Sequence, residues 1–152
     1  MVERRNENVV VRQAEPADAG AVTALLRASG LPVDGVESAL DHGLIASRDG
    51  RLVGCVALEL YDHSALLRSL AIVPELRGQG LGGALTRGAL DLARTLGARE
   101  IYLLTETASG FFPRFGFALE DRSRAPAALK NSVEFRSACP TTALMMSRRV
   151  AR

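Results

Sequence analysis

The stretch Ala65-Leu66-Leu67-Arg68-Ser69-Leu70-Ala71-Ile72-Val73-Pro74-Glu75-Leu76-Arg77-Gly78-Gln79-Gly80-Leu81-Gly82-Gly83 reads as a strand, a glycine-rich turn and the start of a helix. Ala65 to Val73 is apolar except at Arg68-Ser69, and Pro74, with no N–H to give a ladder, ends it. Beyond the glycines, Leu81, Ala84, Leu85, Leu92 and Leu96 fall on one helical face, and Gly97 supplies a left-handed stop. Glycines let backbone amides close on an anion, and a helix start adds N–H groups without internal partners and a favourable dipole. Two readings of the turn stand: an anion cradle, or a tight strand-to-helix junction with no ligand.

Upstream, Val9 to Arg12 is a short β-branched run, and Glu15-Pro16 opens a helix carrying Val22, Leu25 and Leu26 that stops at Gly30. Leu31-Pro32 breaks it, and Val36, Ala39 and Leu40 allow a shorter helix before Gly43. Leu44 to Arg48 and Leu52 to Leu60 flank Asp49-Gly50, a dipeptide that tolerates positive φ and so predicts a tight hairpin. The polar loop Tyr61-Asp62-His63-Ser64 then leads into the strand at Ala65. Downstream, Ile101 to Leu104 predicts a buried strand, Thr107 to Phe115 a short helix and Phe117 to Leu119 another strand. Arg122 to Pro140 is irregular with some helix at Ala127 to Lys130, and Ala143 to Val150 reads as a closing antiparallel strand. A strand, helix, strand order needs a crossover and hence a parallel pair. The expected architecture is α/β, a mixed sheet with helices on both faces.

A length of 152 residues with 47% hydrophobic content predicts a single domain over 1–152. A net charge of +2 is too small to argue for nucleic acid, so any anion site is local. No apolar run approaches the roughly 18 residues of a membrane span, and Met1 to Arg12 lacks the apolar centre of a signal peptide, so a cytoplasmic protein without membrane contact is expected. Cys55 and Cys139, with only His42 and His63 beside them, give neither a disulfide scaffold nor zinc-ligand spacing, and no metal is expected.

Other phosphate-binding patterns fit the turn less well. Gly78, Gly80 and Gly83 satisfy G-x-G-x-x-G, and Glu106 follows at about the 20 residues a dinucleotide fold uses. In such a fold, however, the strand turns directly into the first glycine, whereas Pro74-Glu75-Leu76-Arg77 intervenes here. A nucleoside-triphosphate loop fails because no Lys-Ser or Lys-Thr follows the glycines.

Leu70-Ala71-Ile72-Val73-Pro74 followed by Arg77, Gly80 and Gly82 resembles the GNAT superfamily signature, Gln/Arg-x-x-Gly-x-Gly/Ala after a strand ending in apolar-Val-x-Pro. Ala108, Phe111, Phe112, Gly116 and Phe117 are similar to the later A-x-x-F-Y-x-x-x-G-F of the same acetyl-CoA-dependent N-acetyltransferases. The resemblance implies a mostly antiparallel sheet of about seven strands, with a central parallel pair that splays between the strands at 65–73 and 100–104. It also implies acetyl-CoA as co-substrate. By carry-over, Leu70, Ala71, Ile72 and Val73 would pair with pantetheine, and Arg77, Gly78, Gln79, Gly80, Leu81, Gly82 and Gly83 would hold the pyrophosphate, with Thr105 and Phe112 beside the cofactor. Dimers are common in the family.

Leu66 to Ala71, Tyr102-Leu103-Leu104-Thr105, Phe111 to Phe117, Glu134-Phe135 and Cys139-Pro140 look like the GNAT branch found with arsenic-resistance genes, whose relatives detoxify glutamate-like antimetabolites by α-amine acetylation. Leu104-Thr105 with Thr107-Ala108 also resembles the acetyltransferase part of N-acetylglutamate synthases. Both imply a small, amino-acid-like amine acceptor.

Acetyl transfer needs a neutral amine beside the thioester, donors for the oxyanion and a proton for the leaving thiolate. The oxyanion donor is expected to be a backbone N–H near Leu70 or Ala71. The family's frequent Tyr acid is replaced by Phe112, which leaves Tyr102, Thr105, Thr107, a water or unassisted thiolate departure. The family's Glu on the strand before the turn is also missing, Leu66 and Leu67 standing there. Glu59, at the end of the apolar run Val53 to Leu60, is the expected base or ammonium partner, against the alternative of a solvated strand end; His63 is second choice. Arg68 breaks an apolar strand and must reach solvent, an internal carboxylate or a ligand. A bidentate clamp on a substrate carboxylate is preferred here over an ion pair with Glu59, with Arg114 and Arg122 as weaker candidates. Cys139 is read as a small buried residue. Rival functions are a catalytically silent acyl-CoA-binding sensor and an acetyltransferase for a protein N-terminus or a polyamine.

Overall fold

A computed structural model describes residues 8–138 and 142–150. Seven strands form one sheet in the order β1-β2-β3-β4-β5-β7-β6. They are β1 (Val9–Gln13), β2 (Gly43–Arg48), β3 (Arg51–Tyr61), β4 (Ser64–Ile72), β5 (Glu100–Thr105), β6 (Ala118–Glu120) and β7 (Leu144–Arg149). The helices are α1 (Ala19–Ala28), α2 (Val36–Ala39), α3 (Leu81–Thr95) and α4 (Ala127–Lys130), and Glu134–Ala138 forms one π-helical turn. Every neighbouring pair is antiparallel except β4 with β5. β7 runs between β5 and β6, so the last crossover places those two strands parallel without pairing them.

Local chemistry explains the hairpins. Asp49 and Gly50 both take positive φ, 52° and 77°, as the twist of a two-residue turn requires. The next hairpin is tighter than the expected four-residue loop: Tyr61 pairs with Ser64, and only Asp62-His63 turns, with Asp62 at φ 56°. The helix expected over Thr107 to Phe115 shrinks to a 3-10 turn at Phe112–Phe115. Gly110 and Pro113 both work against a longer helix there.

α3 lies tight on the sheet. A Cβ at Gly88 would stand 2.9 Å from the Leu44 side chain, and one at Gly54 would stand 2.9 Å from Ile72 and 3.0 Å from Leu85, so glycine on both surfaces permits the approach. The main core joins α1, α2, α3 and strands β2 to β5. A smaller one, Leu66, Tyr102, Ala125, Leu129 and Met145, seats α4 over the other end of the parallel pair. Full burial of Leu129 contributes about 2 kcal/mol toward fixing the 122–138 segment there.

Candidate active site

Two irregularities of β4 create the site. The register with β3 slips between Cys55–Ala71 and Ala57–Arg68, so β4 carries one residue more than its partner. Ser69 absorbs the bulge at φ 62°, a cost that a non-glycine residue bears only where the surroundings fix it. Its carbonyl accepts the Cys55 thiol at 3.2 Å, and burial pushes that thiol up to about 12. On the other side, β4 pairs with β5 only from Ser64 to Leu66. Beyond Leu66 the two strands separate, and a cavity of about 1220 Å³ occupies the gap.

At one end of this cavity stands the glycine turn. Pro74–Leu76 makes one 3-10 turn, Arg77 Nε donates to the Ile72 carbonyl at 3.0 Å, and Gly80 begins α3 at φ 86°. Gly78 and Gly80 have open space where a Cβ would stand. The first amides of α3 therefore have no side chain between them and the cavity at these positions, and the fit to a pyrophosphate is good. Gly82 and Gly83 have a different job: a Cβ would stand 3.5 Å from the Phe111 ring and 3.2 Å from Phe115.

Of the residues expected around the cofactor, Leu70, Ala71, Ile72, Arg77, Gly78, Gly80, Gly82, Gly83, Thr105 and Phe112 line the cavity. Val73 does not; its amide is taken by the Val53 carbonyl at 2.9 Å. Gln79 and Leu81 are off the wall as well, Gln79 turned to the Glu75 carbonyl and Leu81 buried in the core. Phe112 packs edge-on between Phe111 and Phe117. Thr105 and Thr107 reach the cavity, and the Thr105 hydroxyl accepts the Ala108 amide at 2.9 Å, which leaves its own proton to donate. Tyr102 is off the wall, bonded to Glu100 at 3.2 Å and pushed up to about 12 by burial and that carboxylate.

The other end is ionic. The Arg68 side chain is 0% exposed; Nη1 donates to Glu59 at 2.8 Å, and Nε donates to the Ser69 hydroxyl at 2.9 Å and faces Glu134 at 3.5 Å. Nη2 is buried and has no hydrogen-bond partner among the described residues. The internal ion pair with Glu59, the alternative to a ligand clamp, is thus formed. Bulge and tail bring two carboxylates to the guanidinium, and a two-pronged grip on a substrate is no longer open to it. Glu59 does not line the cavity; it is held between Arg68 and the Tyr61 hydroxyl, which donates to it. Burial and this carboxylate push the Tyr61 hydroxyl well above its ordinary range. His63 sits exposed in the hairpin turn away from the cavity. Arg114 lines the cavity beside the Phe111 ring, whereas Arg122 is off it, bonded to the Ala143 carbonyl at 3.0 Å. Cys139 lies outside the described residues.

Glu134 is the residue that sequence reasoning missed. Its side chain is 5% exposed, opens the π-helical turn and lines the cavity. The available signal was a lone carboxylate between Val133 and Phe135, two apolar residues.

A splayed parallel pair with an amide-lined glycine turn at its mouth agrees with the family comparison: residues 20–117 match the acetyltransferase (GNAT) family. The chain belongs to this family. As a GNAT protein it is an acetyl-CoA-dependent acetyltransferase. The chain is 31% identical over 117 residues to an amino-acid acetyltransferase of Aeromonas salmonicida, covering 70% of this chain and 26% of that one. It is 35% identical over 86 residues to N-alpha-acetyltransferase 30 of Schizosaccharomyces pombe, covering 51% and 57%. N-acetylglutamate synthase of Neisseria gonorrhoeae, solved with coenzyme A and N-acetyl-glutamate, superposes with a TM-score of 0.81 at 24% identity over 95% of this chain and 35% of that one. The GNAT chain thus spans about a quarter of the length of the first of these and a third of the last. No described helix is long and apolar enough to cross a membrane.

Proposed function

We propose that this GNAT enzyme moves the acetyl group of acetyl-CoA to the α-amine of a small carboxylate-bearing amino acid, glutamate-like in shape. The observation that carries the reading is the pair formed by Arg68 and Glu134 on the cavity wall, 3.5 Å apart, with Arg68 Nη2 buried and without a hydrogen-bond partner among the described residues. A buried guanidinium nitrogen without an acceptor is costly, and one carboxylate oxygen of an acceptor relieves that cost. A neighbouring glutamate at this spacing suits the ammonium that an α-amino acid carries next to its carboxylate. A polyamine satisfies only one half of the pair. The likeness to an amino-acid acetyltransferase supports the same reading, and arsenic- or phosphorus-containing glutamate analogues belong to the acceptor class it defines.

In this reading the cofactor lies along β4 from the glycine turn, and orientation of the amine against the thioester supplies much of the rate. Past the bulge at Ser69, the Leu70 amide is the donor for the developing oxyanion, since the Ala71 backbone is engaged with Cys55. Glu59 fixes the guanidinium of Arg68 rather than touching the acceptor. With Phe112 unable to give a proton, Thr105, Thr107 or a water serves the leaving thiolate.

The reading is tested by thiol release from acetyl-CoA over a panel of free amino acids, phosphinic and arsinic glutamate analogues, polyamines and a short peptide. Turnover confined to amino acids and their analogues is the expected result. Preference for the peptide would replace it with N-terminal acetylation, and silence with acetyl-CoA still bound would replace it with a sensor.

A further inference from the structure

We infer that Glu134 is the proton acceptor for the ammonium of the acceptor substrate. The inference rests on the acyl-transfer reading above and adds a catalytic residue to it. Four observations meet at this side chain. It lies on the cavity wall, on the same lining as the splayed part of β4. It opens a π-helical turn, a rare local geometry that recurs at functional sites. It stands 3.5 Å from the buried Arg68, whose Nη2 has no partner among the described residues. Its companion carboxylate, Glu59, shares the same guanidinium from 2.8 Å and does not line the cavity.

Among the described ion pairs, two carboxylates share this one guanidinium, one negative charge in excess. That excess draws an ammonium to the wall, and a proton passed to Glu134 cancels it. The groups gathered on the same guanidinium are Ser69 from β4 and Glu59 from β3, with the Tyr61 hydroxyl on Glu59, while Arg136 shares the π-helical turn and Arg122 stands over the neighbouring Phe135 ring. The first ammonium proton goes to Glu134 and is released to solvent after turnover. The nitrogen lone pair forms the C–N bond at the thioester carbon, the C–S bond breaks, and the second nitrogen proton ends on the CoA sulfur.

The experiment compares Glu134→Gln and Glu59→Gln, each with the amine the panel ranks best, following kcat/KM from pH 6.5 to 9.5 and acetyl-CoA binding by calorimetry. For Glu134→Gln, a loss of about 100-fold or more at pH 7 is expected. That loss should narrow to below about tenfold at pH 9.5, where the amine arrives already neutral, with acetyl-CoA affinity unchanged. Glu59→Gln is expected to lower activity by the same factor at every pH. A Glu134→Gln loss that does not narrow with pH, or no loss, overturns the inference even where the amino-acid reading stands. Peptide as the best amine overturns the amino-acid reading and leaves this comparison intact, and no turnover with any amine overturns both. If Glu134→Gln does not fold, Glu134→Asp is read instead: at least about tenfold lower kcat with the wild-type pH profile is expected, and wild-type kcat overturns the assignment.

Discussion

The two ends of one cavity are built by opposite means. At the glycine turn, residues 74–83 are contiguous, Gly78 and Gly80 leave their Cβ positions open, and backbone amides stand beside Arg77 on the cavity wall. At the ionic end, Arg68 and Glu134 on the wall and Glu59 behind them come from three separate elements, and the groups are charged side chains with little exposure. The first end depends on what is left out of the chain near the ligand. The second depends on distant charges cancelling one another, so it fails as a unit when one member goes.

The largest expected effect lies at the ionic end. Arg68→Met keeps the volume but takes the cation from the buried Glu134 and the half-buried Glu59, and a loss of about 3–5 kcal/mol is expected in urea unfolding. A neutral result would show that the cluster holds nothing together and would dissolve the contrast. At the glycine turn the effect is smaller and of another kind. Gly80→Ala meets no neighbour, so its cost is the left-handed backbone at φ 86° alone, about 1–2 kcal/mol by the same measurement. Calorimetry should also show weaker acetyl-CoA binding, because the amide that Gly80 sets is re-aimed.

The smallest effect sharpens the comparison by taking the same chemistry outside the cavity. Arg12 meets Asp18 through two 2.8 Å hydrogen bonds, with Arg12 39% exposed. The Arg12 hydrogen bond, chiefly, holds the Asp18 carboxyl below its ordinary 3.8. A lowered carboxylate contributes stability above its unfolded pKa, and that stability is lost as pH falls through the folded value. Asp18→Asn is therefore expected to cost under about 1 kcal/mol at neutral pH. The gap to wild type should close below pH 3.8, which a pH series of urea midpoints checks. A gap as large as that of Arg68→Met would mean that burial is not what separates the two arginines.

Legibility in the sequence follows the same division. The apolar runs on either side of the Asp49-Gly50 pair gave away the hairpin, and Leu81 to Leu96 gave away α3, because those signals are local. The glycine turn was readable for the same reason. Glu59 was placed as a base and Arg68 as a clamp because the pairing of β3 with β4 could be foreseen but the extra residue at Ser69 could not. Nor did Thr107 to Phe115 show that Gly110 and Pro113 would leave only one 3-10 turn.

What the sequence by itself determined is most of the elements and the glycine turn between β4 and α3, since periodicity, proline and glycine act within a few residues of where they stand. What only the tertiary structure decided is who shares the guanidinium of Arg68. Glu134 lies 66 positions along the chain from it, at the start of a π-helical turn, and its arrival depends on α4 burying Leu129 against Leu66, Tyr102 and Met145. No local pattern encodes that distance. It is set by packing, which rewards apolar burial first and then fixes which charges must neutralise one another.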